Sequence, residues 1–311
     1  MTLKVFSGTT HPALAAAICD NLGIKLGNID IFKFSNDCTF VQIGESVRND
    51  DVFVIQPSHY PVNDGIMELL IIVDALRRAS AKRITAVLPY YPYAKSDKKD
   101  QPRIPITARL VANLLETAGV DRVLTMDLHS PQIMGFFTVP VDHLTSLPIL
   151  SAYLMKEKSD DMVVVAPDAG RAKLARVYGR LIGAPIALLD KQRIGNEERV
   201  VVNHLVGDVT GKQVLLVEDE IASGGTMIAE ADFLSQAGAT NIYVACTHGV
   251  FSGRAVERIV NSPISRVAVT DTLPISAKDR VDKIVVLSVA NLFAEAIRRI
   301  YEGTSVSVLF E

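Results

Sequence analysis

The chain has no tryptophan and only three cysteines in 311 residues. Cys19, Cys38 and Cys246 are too few and too scattered for a disulfide framework or a zinc site, and read as reduced thiols in a cytoplasmic protein. No apolar run approaches the ~18 residues of a membrane span. The first twenty residues carry a lone Lys4 and a short Ala-rich stretch. A secretory leader wants a charged start, a longer apolar region and a cleavage site, so secretion is not expected. His11-Pro12 ahead of residues 13–19 reads instead as a loop entering a helix. A basic excess is missing as well: 32 Lys and Arg face 35 Asp and Glu, for a net charge of -3. Proteins that hold a nucleic acid polymer by neutralising phosphates show such an excess. Here the basic residues are dispersed, apart from one short run at 95–99. Neither nucleic acid nor membrane is an expected partner.

What is present is apolar substance and rhythm. Apolar residues make up 49% and charged residues 22%, enough to bury a sizeable core and to exclude wholesale disorder. The length fits about two domains. Continuous apolar strands are expected at 52–56, 83–88, 122–126, 162–166, 184–189, 213–217 and 241–246. Helices are expected between them, at 66–79, 106–117, 171–182 and 226–237, with Gly119, Gly183 and Gly238 as stops. That alternation predicts α/β architecture with parallel sheets covered by helices on both faces.

One pattern occurs twice. VFVIQ at Val52 leads through a loop and a helix to AKRITAVLPY at Ala81; VLLVE at Val214 leads likewise to ATNIYVACTH at Ala239. Two related α/β domains in tandem explain this, and chance similarity of two such units is the alternative. The expected boundary lies near Leu147-Pro148, giving domains at 1–147 and 148–289, with residues 290–311 rejoining the first.

The segment VLLVEDEIASGGT, residues 214–226, carries the most chemistry. Ligands of open parallel sheets bind at the C-terminal strand ends, where Glu218 and Asp219 are expected to leave the strand. Ser223, Gly224, Gly225 and Thr226 then turn the chain into a helix. A glycine-rich turn at a helix start aims backbone N–H groups at an anion, aided by the helix dipole. Two carboxylates a sugar's length away can accept from a vicinal diol, directly or through a metal. The combination describes a ribose 5-phosphate site. The plain structural alternative is a Ser223 helix cap with two solvated acids, but acids at the end of a buried strand are costly without a ligand.

This loop resembles the phosphoribosyl-diphosphate motif of phosphoribosyltransferases and ribose-phosphate pyrophosphokinases, and alone does not choose between them. Further stretches resemble the pyrophosphokinase (phosphoribosyl pyrophosphate synthetase) family nearly end to end. They include FSN at Phe34, IGESVR at Ile43, PYYPYAKSDKKD at Pro89, TMDLHSPQIMGFF at Thr125, PDAG at Pro167, DKQR at Asp190, THG at Thr247 and EAIRRIYEGTSVSVLF at Glu295. The resemblance implies two phosphoribosyltransferase-like domains. It implies Mg2+-dependent transfer of the diphosphoryl group of ATP to the anomeric hydroxyl of ribose 5-phosphate, giving phosphoribosyl diphosphate and AMP. It also implies a homohexamer with ATP bound between subunits.

By the same resemblance, His129 and Asp168 hold magnesium on the ATP phosphates, with Asp127 orienting His129. Lys191 and Arg193 are the basic pair closing over the reacting phosphates. Phe34, Asn36, Lys95, Ser96 and Asp100 are ATP-side positions. Ser46, Arg48, Arg103, Ser305 and Ser307 match a site for inorganic phosphate as activator. The chain departs from the family pattern at several places. Lys95 and Ser96 stand where Arg and Gln are usual, Cys38 where Glu is, and Ala222-Ser223 where Asp-Thr is. Arg171 follows PDAG in place of Gly, and Met134 replaces a Gln of ADP-inhibited members. These changes predict a raised KM for ATP or an altered nucleotide preference. They also leave open a catalytically weak regulatory paralogue; a phosphoribosyltransferase fits the rest of the chain less well.

Overall fold

A computed structural model describes residues 1–193 and 200–309, with backbone alone over 191–193 and 200–203. The chain divides into two compact units: residues 1–145, 272–274 and 288–311 form unit 1, and residues 146–271 and 275–287 form unit 2.

Unit 1 contains β1 (Leu3–Ser7), α1 (Pro12–Leu22), β2 (Ile29–Lys33), β3 (Thr39–Ile43), β4 (Asp51–Ile55), α2 (Val62–Arg78), β5 (Arg83–Leu88), α3 (Thr107–Ala118), β6 (Arg122–Met126) and β7 (Val141–Leu144). Among the described residues its main sheet runs β1-β4-β5-β6-β7, parallel throughout. β4 is buried at every position, which is why its sequence reads as an unbroken apolar run. β2 and β3 form a separate antiparallel hairpin. Helices α2 and α3 bury Leu69, Ile72, Leu76, Val111 and Leu115 in a core that includes Phe6, Val54, Ile84 and Tyr91. Gly119 ends α3 in the left-handed conformation, as glycine stops commonly do.

Unit 2 contains α4 (Leu147–Glu157), β8 (Val163–Ala166), α5 (Ala172–Ile182), β9 (Ile186–Arg193), β10 (Val200–Val206), β11 (Gln213–Ile221), α6 (Gly225–Gln236), β12 (Asn241–Gly249), α7 (Ala255–Val260), β13 (Ile264–Thr270) and β14 (Ile284–Leu287). Its sheet order is β10-β9-β8-β11-β12-β13-β14 among the described residues. β10 is antiparallel to β9; the other pairs are parallel. One face buries Val165, Leu216 and Val244 with Met227 and Leu234 of α6. The other buries Val164, Leu215 and Ala245 with Leu150 and Leu154 of α4 and Tyr178 of α5. Both units thus have the expected class, a mainly parallel sheet flanked by helices.

The last helix, α8 (Ala290–Glu302), belongs to unit 1. Arg83 Nη2 donates to the Ile300 carbonyl (3.0 Å), Arg298 Nη2 to the Asn21 carbonyl (3.1 Å) and the Tyr301 hydroxyl to the Met1 carbonyl (2.9 Å). Among the described residues, no helix is long and apolar enough to cross a membrane.

Candidate functional site

In unit 2 the chain passes from β8 outward to β9, then returns to the opposite flank of β8 as β11. Strand order therefore reverses between β8 and β11, the place where open parallel sheets accept ligands beyond their C-terminal ends. The β8–β11 ladder stops at Leu216, whereas β11 stays paired with β12 to Ile221. Glu218 and Asp219 thus overhang the end of β8 while still in the strand. This corrects the expectation that they leave it: Glu218 sits opposite Cys246 and Glu220 opposite His248 in the β11–β12 register.

Asp168 stands just past β8 and starts the short helical turn Ala169–Arg171. Its carboxylate accepts from the Arg171 backbone N–H (3.1 Å). The Arg171 guanidinium forms an ion pair with Asp219, and their side chains are 19% and 9% exposed. Burial alone would lower the Arg171 pKa; Asp219, Glu218 and Asp168 outweigh it and hold the group above its ordinary value. The acids act on their other neighbour too. Burial first, then Asp219 and Glu218, push the Cys246 thiol well up, so it is a neutral core thiol. Asp168, Arg171, Glu218 and Asp219 therefore form one electrostatic group at the switch point.

The glycine turn follows directly. Gly224 has φ +74°, in the left-handed region, and precedes the first residue of α6. The cap position is thus Gly224, one residue beyond Ser223. The outer side of the turn is fixed from elsewhere: Arg258 Nη1 of α7 donates to the Ser223 carbonyl (2.9 Å), and the Ser252 N–H donates to the Ala222 carbonyl (3.1 Å). Helices leave their first N–H groups without intrahelical partners. Held this way, Gly224, Gly225 and Thr226 stand at the positive end of α6.

Lys191 and Arg193 fall in the last three residues of β9, opposite Val202 and Val200 of β10. Their side chains lie outside the described residues.

In unit 1, His129 is half-buried in the loop after β6. The Leu128 N–H donates to His143 Nε2 (2.8 Å) and the Asp127 N–H to the Leu144 carbonyl (3.0 Å), tying that loop to β7. Phe34 and Asn36 form the tip of the β2–β3 hairpin, where the Phe34 N–H donates to the Cys38 carbonyl and Asn36 Oδ1 accepts from the Cys38 N–H. Phe34 is 50% exposed and meets Phe32 and Phe40 edge-on. Lys33, beside it, bonds Asp37 and Asp64, which hold its ammonium pKa above the usual range. Lys95 and Asp100 are exposed. Ser96 is turned inward: its hydroxyl accepts from the Thr107 N–H (3.2 Å) and its carbonyl from the Ala108 N–H (3.1 Å), so it satisfies two donors at the start of α3. Ser46, Arg48, Arg103, Ser305 and Ser307 are all exposed in the single chain. Among the described residues no bond joins these five except Ser307 N–H to Ser305 Oγ.

Known proteins decide the family. Residues 3–119 match the pattern described as the N-terminal domain of ribose phosphate pyrophosphokinase, and residues 194–311 match that of the phosphoribosyl synthetase-associated domain. The ribose-phosphate pyrophosphokinase of Clostridium acetobutylicum is 50% identical over 99% of this chain and 97% of its own length. This enzyme belongs to the ribose-phosphate pyrophosphokinase family. Within the family, likeness extends to the chloroplastic ribose-phosphate pyrophosphokinase 1 of Arabidopsis thaliana, at 47% over 99% of this chain and 77% of the plant protein. The crystal structure of phosphoribosylpyrophosphate synthetase from Mycobacterium smegmatis superposes with a TM-score of 0.93 at 43% identity, covering 97% of this chain and all of that one.

Two supporting residues carry no signal in the sequence. His143 and Arg258 act on backbone atoms of loops far from them in the chain, and neither lies in a recognisable motif. Arg171 was visible only as a departure after PDAG; its pairing with Asp219 depends on β8 and β11 being neighbours.

Proposed function

We propose that this enzyme transfers the β,γ-diphosphoryl group of ATP to the anomeric hydroxyl of ribose 5-phosphate, producing phosphoribosyl diphosphate and AMP. The carrying observation is the switch point of unit 2, where a glycine turn at the start of α6 follows a pair of overhanging carboxylates. The N–H groups of Gly224, Gly225 and Thr226, with the hydroxyls of Ser223 and Thr226, take the 5-phosphate. Glu218 and Asp219 accept from the ring hydroxyls and so orient the anomeric oxygen for attack.

Magnesium commonly keeps several waters and binds through one or two carboxylates plus substrate phosphates. By this reading Asp168, a carboxylate just past β8, would hold magnesium in that mode, and His129 would act through a water. When bound, magnesium neutralises charge on the transferring phosphates. Lys191 and Arg193 supply further positive charge as negative charge builds on the non-bridging oxygens. Phe34 stacks on the adenine ring and Asn36 bonds its edge, while Lys95 and Asp100 line the approach of ATP and Ser96 supports the start of α3. Ser46, Arg48, Arg103, Ser305 and Ser307 receive inorganic phosphate as an activator, and the working assembly is a homohexamer.

The test incubates purified protein with ATP, ribose 5-phosphate and Mg2+ and quantifies AMP and phosphoribosyl diphosphate together. Equimolar appearance of both, dependent on ribose 5-phosphate, is expected. AMP formed without the sugar phosphate, or none above background at high ATP, contradicts the reading.

A further inference from the structure

The sugar-loop acids already hold a cation. Arg171 reaches from the turn after β8 to Asp219 near the end of β11, and its guanidinium is largely buried. Glu218 and Asp168 lie close enough to add to its positive character. Three carboxylates and one guanidinium share the switch point, so the group carries two net negative charges instead of three. Among the described residues no three His, Cys, Asp or Glu side chains are grouped so as to hold a metal ion. The pairing does not result from loose surface geometry. The Arg171 backbone is fixed by its bond to Asp168, and the β11 backbone is fixed by the β12 ladder.

We propose that Arg171 is the resident counter-ion of this acid group: a positioning residue that holds Asp219 in place and keeps free divalent cations off the carboxylates. A cation approaching alone meets a guanidinium already seated on Asp219. A cation arriving on a nucleotide brings phosphate oxygens as additional ligands and needs fewer of the protein's acids. Arg171 thereby favours the metal–nucleotide complex over the bare ion. This inference rests on the ribose 5-phosphate reading of the loop, but its test needs neither substrate nor turnover.

Mn2+ alone is titrated into the intact protein, without nucleotide or sugar, and free ion is read by electron paramagnetic resonance. Arg171→Gly is expected to gain one Mn2+ site at least tenfold tighter than any in the unaltered protein, and Asp219→Asn in that background to remove the gain. Arg171→Lys, which keeps the charge, is expected to stay within threefold of the unaltered protein. Arg171→Met retains an apolar stem and is titrated in parallel, each variant's folding being checked by circular dichroism. Equal Mn2+ affinity in the unaltered, Gly and Met proteins overturns the proposal. A gain of Mn2+ binding in a protein that makes no AMP overturns the proposed function and leaves this inference standing.

Discussion

The β4–α2 loop of unit 1 and the β11–α6 loop of unit 2 begin alike and end differently. Each follows a buried strand and leads through a helix to a parallel neighbour. In unit 1 every later strand adds on the same side of β1, so strand order never reverses. The strand ends there are closed by the protein itself. Glu68 of α2 accepts from the Thr9 N–H, the Thr9 hydroxyl and Gln56 Nε2, each at 2.7 Å, and Gln56 Oε1 accepts from the Thr10 N–H. A side chain on Gly8 would run into Gln56 and Glu68. In unit 2 the order reverses at β8, and β11 runs past the end of β8 with Glu218 and Asp219 before the glycine turn. Glu68 is bonded by amide and hydroxyl donors of its own unit, whereas Asp219 is held by the single guanidinium of Arg171, and under the proposed function the acids of unit 2 serve a ligand.

Five substitutions test that contrast, beginning with the largest effect. Asp219→Asn removes a carboxylate from this strand end and leaves Arg171 without its closest partner. A hydrogen bond to a charged group contributes about 1.5–3 kcal/mol, so kcat/KM for ribose 5-phosphate should fall roughly ten- to a hundredfold. Steady-state kinetics on the folded variant measures this, and an unchanged value would place the sugar elsewhere. Glu68→Gln sets an amide N–H2 among the donors of Thr9 and Gln56. Urea unfolding should report a loss of about 1–3 kcal/mol, while KM for ribose 5-phosphate stays within twofold.

The glycines should respond with opposite signs. Gly224 has φ +74°, so Gly224→Ala meets about 1–2 kcal/mol of left-handed strain and distorts the glycine turn. Gly65 lies in the first turns of α2, and a Cβ there finds only ordinary contacts, at 3.4 Å or more. Gly65→Ala should therefore stabilise by up to about 1 kcal/mol. Thermal melts of both variants check the pair; the same sign in both would remove the conformational part of the argument. The smallest effect is expected at Ser96→Ala, which loses a bond to the start of α3 and about 0.5–1 kcal/mol of stability. A strong kinetic effect without a stability change would instead make Ser96 a substrate contact.

Much of this contrast was legible before any coordinates. Apolar runs bounded by Gly119, Gly183 and Gly238 marked strands and helices because strands buried on both faces need no alternation. The glycine turn with Glu218 and Asp219 marked a candidate sugar-phosphate loop, because acids at the end of a buried strand are costly without a ligand. The legible part ended where long-range pairing takes over. Glu218 and Asp219 read as leaving the strand, yet β12 keeps β11 in the ladder to Ile221. β2 and β3 were missed because their hairpin is only half-buried and mixes Asp30, Lys33 and Gln42 among its apolar residues. Ser96 resembled part of a solvated charged run, and only the position of α3 shows its hydroxyl facing inward. Arg171 stood out as an unusual residue, but its partner lies on a strand that enters the sheet only after β9 and β10.

The central claim is that the acids of unit 2, and not the buried acid of unit 1, hold the sugar phosphate. Calorimetric titration of ribose 5-phosphate, with Mg2+ and a non-hydrolysable ATP analogue present, tests it most directly in the unaltered protein, Asp219→Asn and Glu68→Gln. Affinity should drop at least tenfold in Asp219→Asn and stay within twofold in Glu68→Gln. Binding retained in Asp219→Asn and lost in a folded Glu68→Gln would contradict the account.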